Sequence, residues 1–482
     1  MKLATKSGVP TSVTYGVLKT LQAAIRTVQP TALAVVFDPR GPTFRSAASL
    51  LDPSGTGPLA AAAARLSAAG RLDWQELANR LLAVDAVRRD VAAAATAAAA
   101  ATPASYLQPS GSFLPPPPPL TSAAAFSAAA LLPDGALPGG PAAAAATGGG
   151  LEELPPALQA LQLPAALGPP APAAAAPPSW ASKKAAVALG LLTEALGPEL
   201  AEALGLAAAA GAEGVAPPLL ATPTYKAGRA SHGSDFYTDF FNLQRLLGLM
   251  SVTPLIRPWL EADDLIGLLV KDAVRQGMAV RILSSDRDLM QLVDDAHGVA
   301  MLSPASPAAL AAVDAGGGAG TAGGPSRSFP FSTLHEAQVV AALGVPPRLV
   351  ADYKALTGDD SDCLPGVEGV GPKTAAQLLA AHGSLAGVHA AAASLTPKRR
   401  AALQAATAAS HYTLAMARVL GAPGAPEAPP DVLPPDLMDR LSLRGFEPDL
   451  VGPALNELEM WSMAPAARRG AALWREFGGG RA

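Results

Sequence analysis

Acidic residues occur in four groups along the chain, and their types and spacing are typical of metal-dependent chemistry. Each group follows a predicted strand or opens a predicted helix. Carboxylates that lie close together repel one another, and a divalent metal ion is the natural compensation. Mg²⁺ prefers carboxylates, water and substrate phosphate, and two such ions can activate water against a phosphodiester. The candidate metal ligands are Asp38, Glu261, Asp263, Asp264, Asp286, Asp288, Asp359 and Asp362.

Each acidic group also has a simpler interpretation, which stays open. The run EADD, residues 261–264, can cap a helix and complement its dipole. A single aspartate at a strand end is most often a turn residue. The order of all four groups along the chain, rather than any one group, favours metal binding.

The segment LPGVEGVGPKTAAQLL, residues 364–379, predicts a hairpin between two helices. Its glycines allow a tight turn with exposed backbone amides, and a lysine opens the next helix. Such a site suits phosphate and would hold duplex backbone without reading sequence. A glycine-rich connector is the alternative. The residues expected to contact DNA are Gly366, Gly369, Gly371, Lys373 and Thr374.

Other basic residues flank these motifs. Arg45 precedes a long low-complexity stretch, and Lys226 and Arg229 lie three residues apart in TYKAGRA. They could hold the scissile phosphate, and Tyr225 could stack on a base, although a simple surface role fits equally well. A further basic run that could bind DNA or end a solvated helix comprises Lys398, Arg399 and Arg400.

The composition limits which parts of the 482 residues can fold. The chain has 46 Gly and 48 Pro, 15% charged and 5% aromatic residues, and a net charge of −4. This charge does not indicate a nucleic-acid binder, so local basic patches must do so. The single cysteine, Cys363, excludes an intrachain disulfide. We find no transmembrane run or secretory signal, and the six histidines show no metal-binding or catalytic pattern.

Hydrophobic spacing predicts alternating helices and strands. Residues 14–29 are spaced as a helix, and ALAVVFDPR then predicts a strand that ends at Asp38. EADDLIGLLVKDAVRQG predicts another helix, and MAVRILSSDRD predicts a strand that ends in acids. Alternation of this kind predicts an α/β fold with a parallel sheet, whose strand ends would gather the acidic groups.

Taken together, the motifs resemble the 5′–3′ exonuclease domain of bacterial DNA polymerase I, in the flap endonuclease superfamily. They occur in the family's order and cover residues 10–45 and 224–420. The resemblance implies a PIN-like parallel-sheet nuclease core with a C-terminal helix-hairpin-helix subdomain, interrupted by a large low-complexity insertion. The matching segments are AVVFDPRGPTFR, YKAGRA, EADDLIGLLV, RILSSDRDLMQLV and YKALTGDDSDCLPGVEGVGPKTA.

The resemblance also implies cofactors and residue roles. Two Mg²⁺ or Mn²⁺ ions are expected, with K⁺ at the hairpin. Lys226 and Arg229 match the family's helical arch, and Arg45 matches an arginine after its second strand, so these three are the expected catalytic cations. The first metal would be served, directly or through water, by Asp38, Glu261, Asp263 and Asp264, and the second by Asp286, Asp288, Asp359 and Asp362.

The chain also departs from the family pattern. The family begins with a strand ending in an aspartate ligand, and nothing before Ala32 matches it, so we expect a truncated or misplaced start. Cys363 stands where the family usually has asparagine. No polymerase domain follows, which resembles stand-alone plant and algal forms and predicts a plastid or mitochondrial protein, neither secreted nor in a membrane.

Shifts in composition predict six segments. Residues 46–222 contain PPPPP, GGG and poly-Ala runs, which supply too few large apolar side chains to offset the entropy of ordering. The segments are the start of the nuclease core at 1–45, a mostly disordered insertion at 46–222, the core with arch and acidic motifs at 223–312, a small disordered insertion at 313–328, the end of the core with the helix-hairpin-helix at 329–425, and a partly helical tail at 426–482.

The expected activity is metal-dependent hydrolysis of DNA at 5′ ends and 5′ flaps beside downstream duplex, by a monomer acting in replication and repair. Two alternatives remain. The missing aspartate would suit a protein that binds DNA structures without cleaving them. A PIN-type ribonuclease is the other, although the helix-hairpin-helix argues against it.

Overall fold

A computed structural model describes most of the chain outside its low-complexity stretches. All contacts reported below lie within one compact unit, formed by Met1–Ser105 and Lys184–Ala482. Arg229 and the small insertion predicted at 313–328 lie outside the described residues. The described residues are 3–39, 43–55, 58–84, 180–204, 206, 225–226, 233–304, 331–429, 432–443, 445–446 and 448–460.

The described strands form a two-stranded sheet and a three-stranded sheet, and each sheet contains one parallel pair. Val35 pairs with Pro254 in the first sheet, and Val280 pairs with Val299 in the second. Only the last strand is antiparallel to its neighbour. The predicted α/β fold with parallel pairing is therefore confirmed. The strands are β1 (Val35–Val36), β2 (Pro254–Leu255), β3 (Val280–Leu283), β4 (Val299–Pro304) and β5 (Phe331–Leu334).

Helices connect and cover these strands. Residues 74–84 are also helical, and short 3₁₀ turns cover Ser49–Leu51, Arg287–Leu292, Pro347–Leu349 and Ala391–Ser394. The other α-helices are α1 (Ser12–Val28), α2 (Phe44–Ala48), α3 (Pro58–Ala68), α4 (Trp180–Ala203), α5 (Ser234–Leu249), α6 (Ala262–Arg275), α7 (Glu336–Leu343), α8 (Val350–Thr357), α9 (Pro372–His382), α10 (Leu385–Ala390), α11 (Pro397–Ala405), α12 (Thr407–Ala417), α13 (Leu437–Arg440) and α14 (Pro448–Glu457).

Helix α1 forms where its apolar spacing predicts, and it packs on α5. Leu18, Leu21 and Ile25 are buried on one face against the leucines of α5. Asp239 of α5 is buried and accepts hydrogen bonds from the backbone N–H groups of Val13 and Thr14. Because the first turn of a helix leaves its N–H groups without partners, this carboxylate fixes the start of α1.

The described parts of residues 46–222 are largely helical and packed, whereas the mostly disordered state predicted for the insertion as a whole stays a prediction. Helices α3 and α4 and residues 74–84 bury apolar side chains in one cluster with Phe44 and Tyr412. Alanine favours helix formation, and leucines at helical spacing such as Leu77 and Leu81 supply the buried face. Residues 85–179 lie outside the described part.

The predicted hairpin lies between α8 and α9. Val367 and Val370 of the turn are buried in one apolar cluster with Leu379 of α9. A Cβ atom on Gly366 would lie 2.5 Å from the carbonyl carbon of Thr357, so only glycine fits where the turn crosses the end of α8. Among the described residues, no helix is long and apolar enough to cross a bilayer.

Candidate metal centre

The first acidic cluster lies at the N-terminus of α6. Glu261 is the residue before the helix, and Asp263 and Asp264 lie in its first turn. The cap is supplied from outside the run, because the backbone N–H of Ala262 donates to Asp38 Oδ1 at 2.8 Å. Asp38 is therefore beside this cluster, but its side chain is exposed and capping α6.

Glu261 accepts hydrogen bonds on both of its carboxylate oxygens. Its carboxylate accepts from Thr43 Oγ1 at 3.1 Å, Tyr225 Oη at 2.9 Å and Lys226 Nζ at 2.5 Å. Burial alone would raise its pKa, but the charges of Arg45 and Lys226 and these hydrogen bonds lower it overall. Glu261 is thus held ionised although only 5% of the residue is exposed.

Arg45 and Asp264 form a buried ion pair. The guanidinium donates to both oxygens of Asp264, which is fully buried, and Arg45 itself is 1% exposed. The remaining donors contact the carbonyl oxygens of Met416, at 2.8 Å, and Arg418, at 2.5 Å. Burial disfavours the charge, but three nearby acids raise the pKa of Arg45 well above its usual value. In this arrangement Arg45 links α6 to the end of α12, whereas the sequence suggests a contact with phosphate.

Asp263 carries a strongly perturbed carboxyl group. Burial and the neighbouring Asp264 charge raise its pKa to about 7, despite the opposing charges of Arg45 and Lys226. Carboxyl groups in this condition are compensated when a metal ion binds beside them. Asp263 therefore marks the place where this cluster lacks positive charge.

The second cluster brings together Asp288, Asp359 and Asp362. One carboxylate oxygen from each lies within 4.8 Å of the others. Asp286, predicted to join them, is exposed and accepts from the backbone N–H of Asp288 at 2.9 Å, so it caps the following turn. Burial would raise the pKa of Asp359, but hydrogen bonds from Lys354 and Ser361 lower it to about 2.

Lys226 joins the two clusters. Its backbone N–H donates to the carbonyl oxygen of Asp362 at 3.1 Å, while its ammonium contacts Glu261. Its φ of 57° is in the left-handed region, which non-glycine residues adopt rarely and often at functional sites. Oxygen donors clustered this closely, with one carboxyl group left uncompensated, fit hard divalent cations such as Mg²⁺.

The predicted DNA-contacting residues divide into exposed and buried groups. Gly369, Gly371 and Lys373 are exposed at the tip of the hairpin, and Thr374 is partly buried. Tyr225 is 8% exposed with its hydroxyl on Glu261, so the structure shows a buried contact where base stacking was predicted.

The basic run on α11 is divided in the same way. Lys398 and Arg399 are exposed. Arg400 instead donates to the carbonyl oxygen of Ala393 at 2.6 Å, which closes the turn before α11. Only the first two side chains of this run therefore face solvent.

Sequence reasoning missed two residues that contact the acids. Thr43 donates to Glu261, and Lys354 donates to both Asp288 and Asp359. Lys354 lies within the YKALTGDDSD motif, five residues before Asp359, and this spacing across a helix end was the available signal.

Comparison with known proteins matches two segments of this core. Residues 220–314 match the family described as 5′–3′ exonuclease, N-terminal resolvase-like domain. Residues 345–420 match the family described as 5′–3′ exonuclease, C-terminal SAM fold. The first match contains both acidic strand-and-helix motifs up to Asp288, and the second contains the hairpin with Asp359 and Asp362.

Two curated relatives of this chain are DNA polymerase I proteins. DNA polymerase I of Synechocystis sp. is 31% identical over 236 residues, 49% of this chain and 21% of that protein. Thermostable DNA polymerase I of Thermus filiformis is 39% identical over 162 residues, 33% of this chain and 16% of that protein. The chain thus spans at most about a fifth of these relatives.

Two solved structures share part of the chain's arrangement. T5 5′-exonuclease with bound zinc aligns with a TM-score of 0.32 and 17% identity, covering 49% of this chain and 77% of that chain. The catalytic core of Rad2 in complex with DNA substrate aligns with a TM-score of 0.30 and 13% identity, covering 51% and 71%.

The structure thus shows an α/β domain with a hairpin between helices placed after its second carboxylate cluster. Residues 220–314 and 345–420 of this domain are similar to the N-terminal and C-terminal parts of 5′–3′ exonucleases, as the two family matches show.

Proposed function

We propose that this protein is a metal-dependent 5′ nuclease that hydrolyses DNA phosphodiester bonds at 5′ ends and 5′ flaps. The observation that carries the proposal is the meeting of two carboxylate clusters through Lys226, in a chain whose matched families are both 5′–3′ exonuclease domains. The DNA polymerase I relatives contain much more chain than this protein, so activity and substrate are inferred for the domain alone.

The first cluster would supply Glu261 and Asp263, and the second Asp288, Asp359 and Asp362, as the residues that hold two Mg²⁺ or Mn²⁺ ions. Such ions supply a water activated for attack and stabilise charge on phosphate oxygens. Asp38 and Asp286 are exposed at the rims of these clusters and would act through water.

The chain's own residues position the clusters in three ways. Arg45 pairs with the buried carboxyl group of Asp264, which fixes the first turn of α6. Tyr225 and Thr43 orient Glu261 by donating to its two oxygens. Lys226, whose ammonium is partly exposed, is placed to contact a phosphate that reaches Glu261.

The hairpin would hold the duplex next to the cut. The backbone of Gly369 and Gly371 is exposed, and Lys373 projects from the first turn of α9. Backbone amides and a helix N-terminus attract phosphate without recognising bases, as expected for a nuclease that selects structure over sequence. We propose that Lys398 and Arg399 extend this surface and that a K⁺ ion binds at the hairpin. We also propose that Arg229 helps to hold the scissile phosphate.

Cleavage of a 5′-labelled flap duplex tests the proposal. We expect a short labelled product with Mg²⁺ or Mn²⁺ and none with chelator. Asp288→Asn should reduce the cleavage rate by about 100-fold or more while leaving flap binding within about threefold, since loss of a metal contact affects chemistry first. Asp439→Asn is the matched control, because Asp439 is exposed and lies outside both clusters.

The same assay separates the alternatives. Flap binding without product at any Mg²⁺ concentration would indicate a DNA-structure-binding protein. Faster cleavage of an RNA flap than of a DNA flap would indicate a ribonuclease. Location in a plastid or mitochondrion stays a prediction, and imaging a fluorescent fusion of the chain in plant cells would test it.

A further inference from the structure

Lys354 is a cation that contacts two of the three carboxylates of the second cluster. Its ammonium donates to Asp288 and, at 2.5 Å, to Asp359. The side chain is 14% exposed, and both of its carboxylate partners are 12% exposed. The contact is therefore a partly buried, three-membered charge group and not a loose surface pair.

The position of Lys354 on α8 does not by itself require this contact. Lys354 lies in the last turn of the helix, where a cation can also interact with the terminal carbonyl groups. Its ammonium is instead directed to the two carboxylates that come closest to Asp362. A lysine has a flexible four-carbon stem and a compact charge, so it can leave such a position without moving the helix.

A divalent ion among these three aspartates would need some of the same oxygens. It would also stand within a few ångströms of the ammonium, and like charges at that distance repel strongly in a partly buried site. Lys354 and the ion therefore cannot both have their full set of contacts.

We propose that Lys354 is an internal counter-ion that holds the second cluster together without metal and competes with the second divalent ion for Asp288 and Asp359. The proposal deepens the proposed nuclease function, on which it rests for the second ion. Lys354 is a positioning residue that sets the metal concentration at which the second site fills.

Equilibrium binding of Mn²⁺ to the full chain, measured from the EPR signal of free Mn²⁺ without DNA, tests this role. Lys354→Met should bind one Mn²⁺ about tenfold more tightly than the unchanged protein. Adding Asp288→Asn to that variant should abolish the gain, which assigns it to the second cluster. Lys271→Met, which alters an exposed lysine on α6, should leave Mn²⁺ affinity unchanged.

A purely structural role for Lys354 predicts the opposite result. Unchanged or weaker Mn²⁺ binding by Lys354→Met would overturn the proposal, because a lysine that only orients the carboxylates would help the ion. Lys354→Arg keeps the positive charge, so its Mn²⁺ affinity should stay as weak as that of the unchanged protein.

Thermal melting with and without Mn²⁺ tests the proposal even if Lys354→Met folds less stably than the unchanged protein. Without metal, Lys354→Met should melt at a lower temperature than the unchanged protein, since two carboxylates lose their partner. Added Mn²⁺ should raise the melting temperature of Lys354→Met by more than it raises that of the unchanged protein. Lys354→Gln should behave likewise. If Mn²⁺ stabilises neither variant more than the unchanged protein, competition is refuted. Because no DNA is present, failure of the nuclease proposal would appear separately, as absence of flap cleavage.

Discussion

Replacing Arg45 by methionine should destabilise the domain strongly. Its guanidinium is 1% exposed and pairs with Asp264, whose side chain is fully buried. Methionine would leave that carboxyl group buried without its partner, and two backbone carbonyl groups would lose their donor. Breaking a buried ion pair from one side costs about 3–5 kcal/mol. Since a domain is stable by only about 5–15 kcal/mol, the variant should be close to unfolding at moderate temperature.

Urea unfolding followed by circular dichroism measures this cost. A double variant, Arg45→Met with Asp264→Leu, removes both charges and should cost less than the two single changes added together, by about 1–3 kcal/mol. Because the bonds to Met416 and Arg418 are lost in either case, the double variant should still be less stable than the unchanged protein.

A small cost would refute this account of Arg45. If Arg45→Met changes the free energy of unfolding by less than about 1 kcal/mol, the pair behaves like an exposed one. If such a stable variant also loses flap cleavage, Arg45 contacts phosphate as the sequence suggests, and the buried arrangement is not the one that acts.

Three further predictions concern the hairpin and the subdomain behind it. Gly366→Ala should cost about 1–3 kcal/mol in urea unfolding, because the new Cβ meets Thr357 backbone at 2.5 Å, and a neutral result would contradict the tight crossing. Lys373→Ala should weaken duplex binding in fluorescence anisotropy and reduce the salt slope by about 0.9, whereas Lys271→Ala should not; equal slopes would remove Lys373 from the interface. Burial, and then the nearby His411, lower the pKa of His389 to about 4 from 6.5, so its neutral form stabilises the fold above pH 6.5 and this contribution is lost as pH falls towards 4. His389→Gln should therefore lose less stability between pH 7 and pH 4 than the unchanged protein, and parallel curves would be evidence against this.

Local sequence patterns predicted the elements that position the site. The apolar spacing of α1 and α6 and the glycines around Gly366 each act over a few residues, so the helices and the hairpin could be identified from sequence. The acids at the start of α6 and in the turn after α8 were identified as candidates for the same reason. Whether each binds metal stays a prediction.

Contacts between distant residues could not be predicted in this way. Arg45 and Asp264 are 219 positions apart, and nothing near Arg45 indicates that it becomes buried. Tyr225 is next to a lysine in a short basic motif, yet its hydroxyl meets an acid 36 residues away. The packed helices within residues 46–222 are hard to delimit from sequence, because alanine-rich composition hides the few leucines that make their buried face.

The polarity of metal-dependent cleavage tests the central claim most directly. One flap duplex is labelled at its 5′ end in one sample and at its 3′ end in another, and each is incubated with the full chain and Mg²⁺. The account predicts that a short 5′-labelled fragment is released, that the 3′-labelled strand is shortened only from its 5′ side, and that chelator stops both. Trimming from the 3′ end, or no product at any Mg²⁺ concentration, would contradict it.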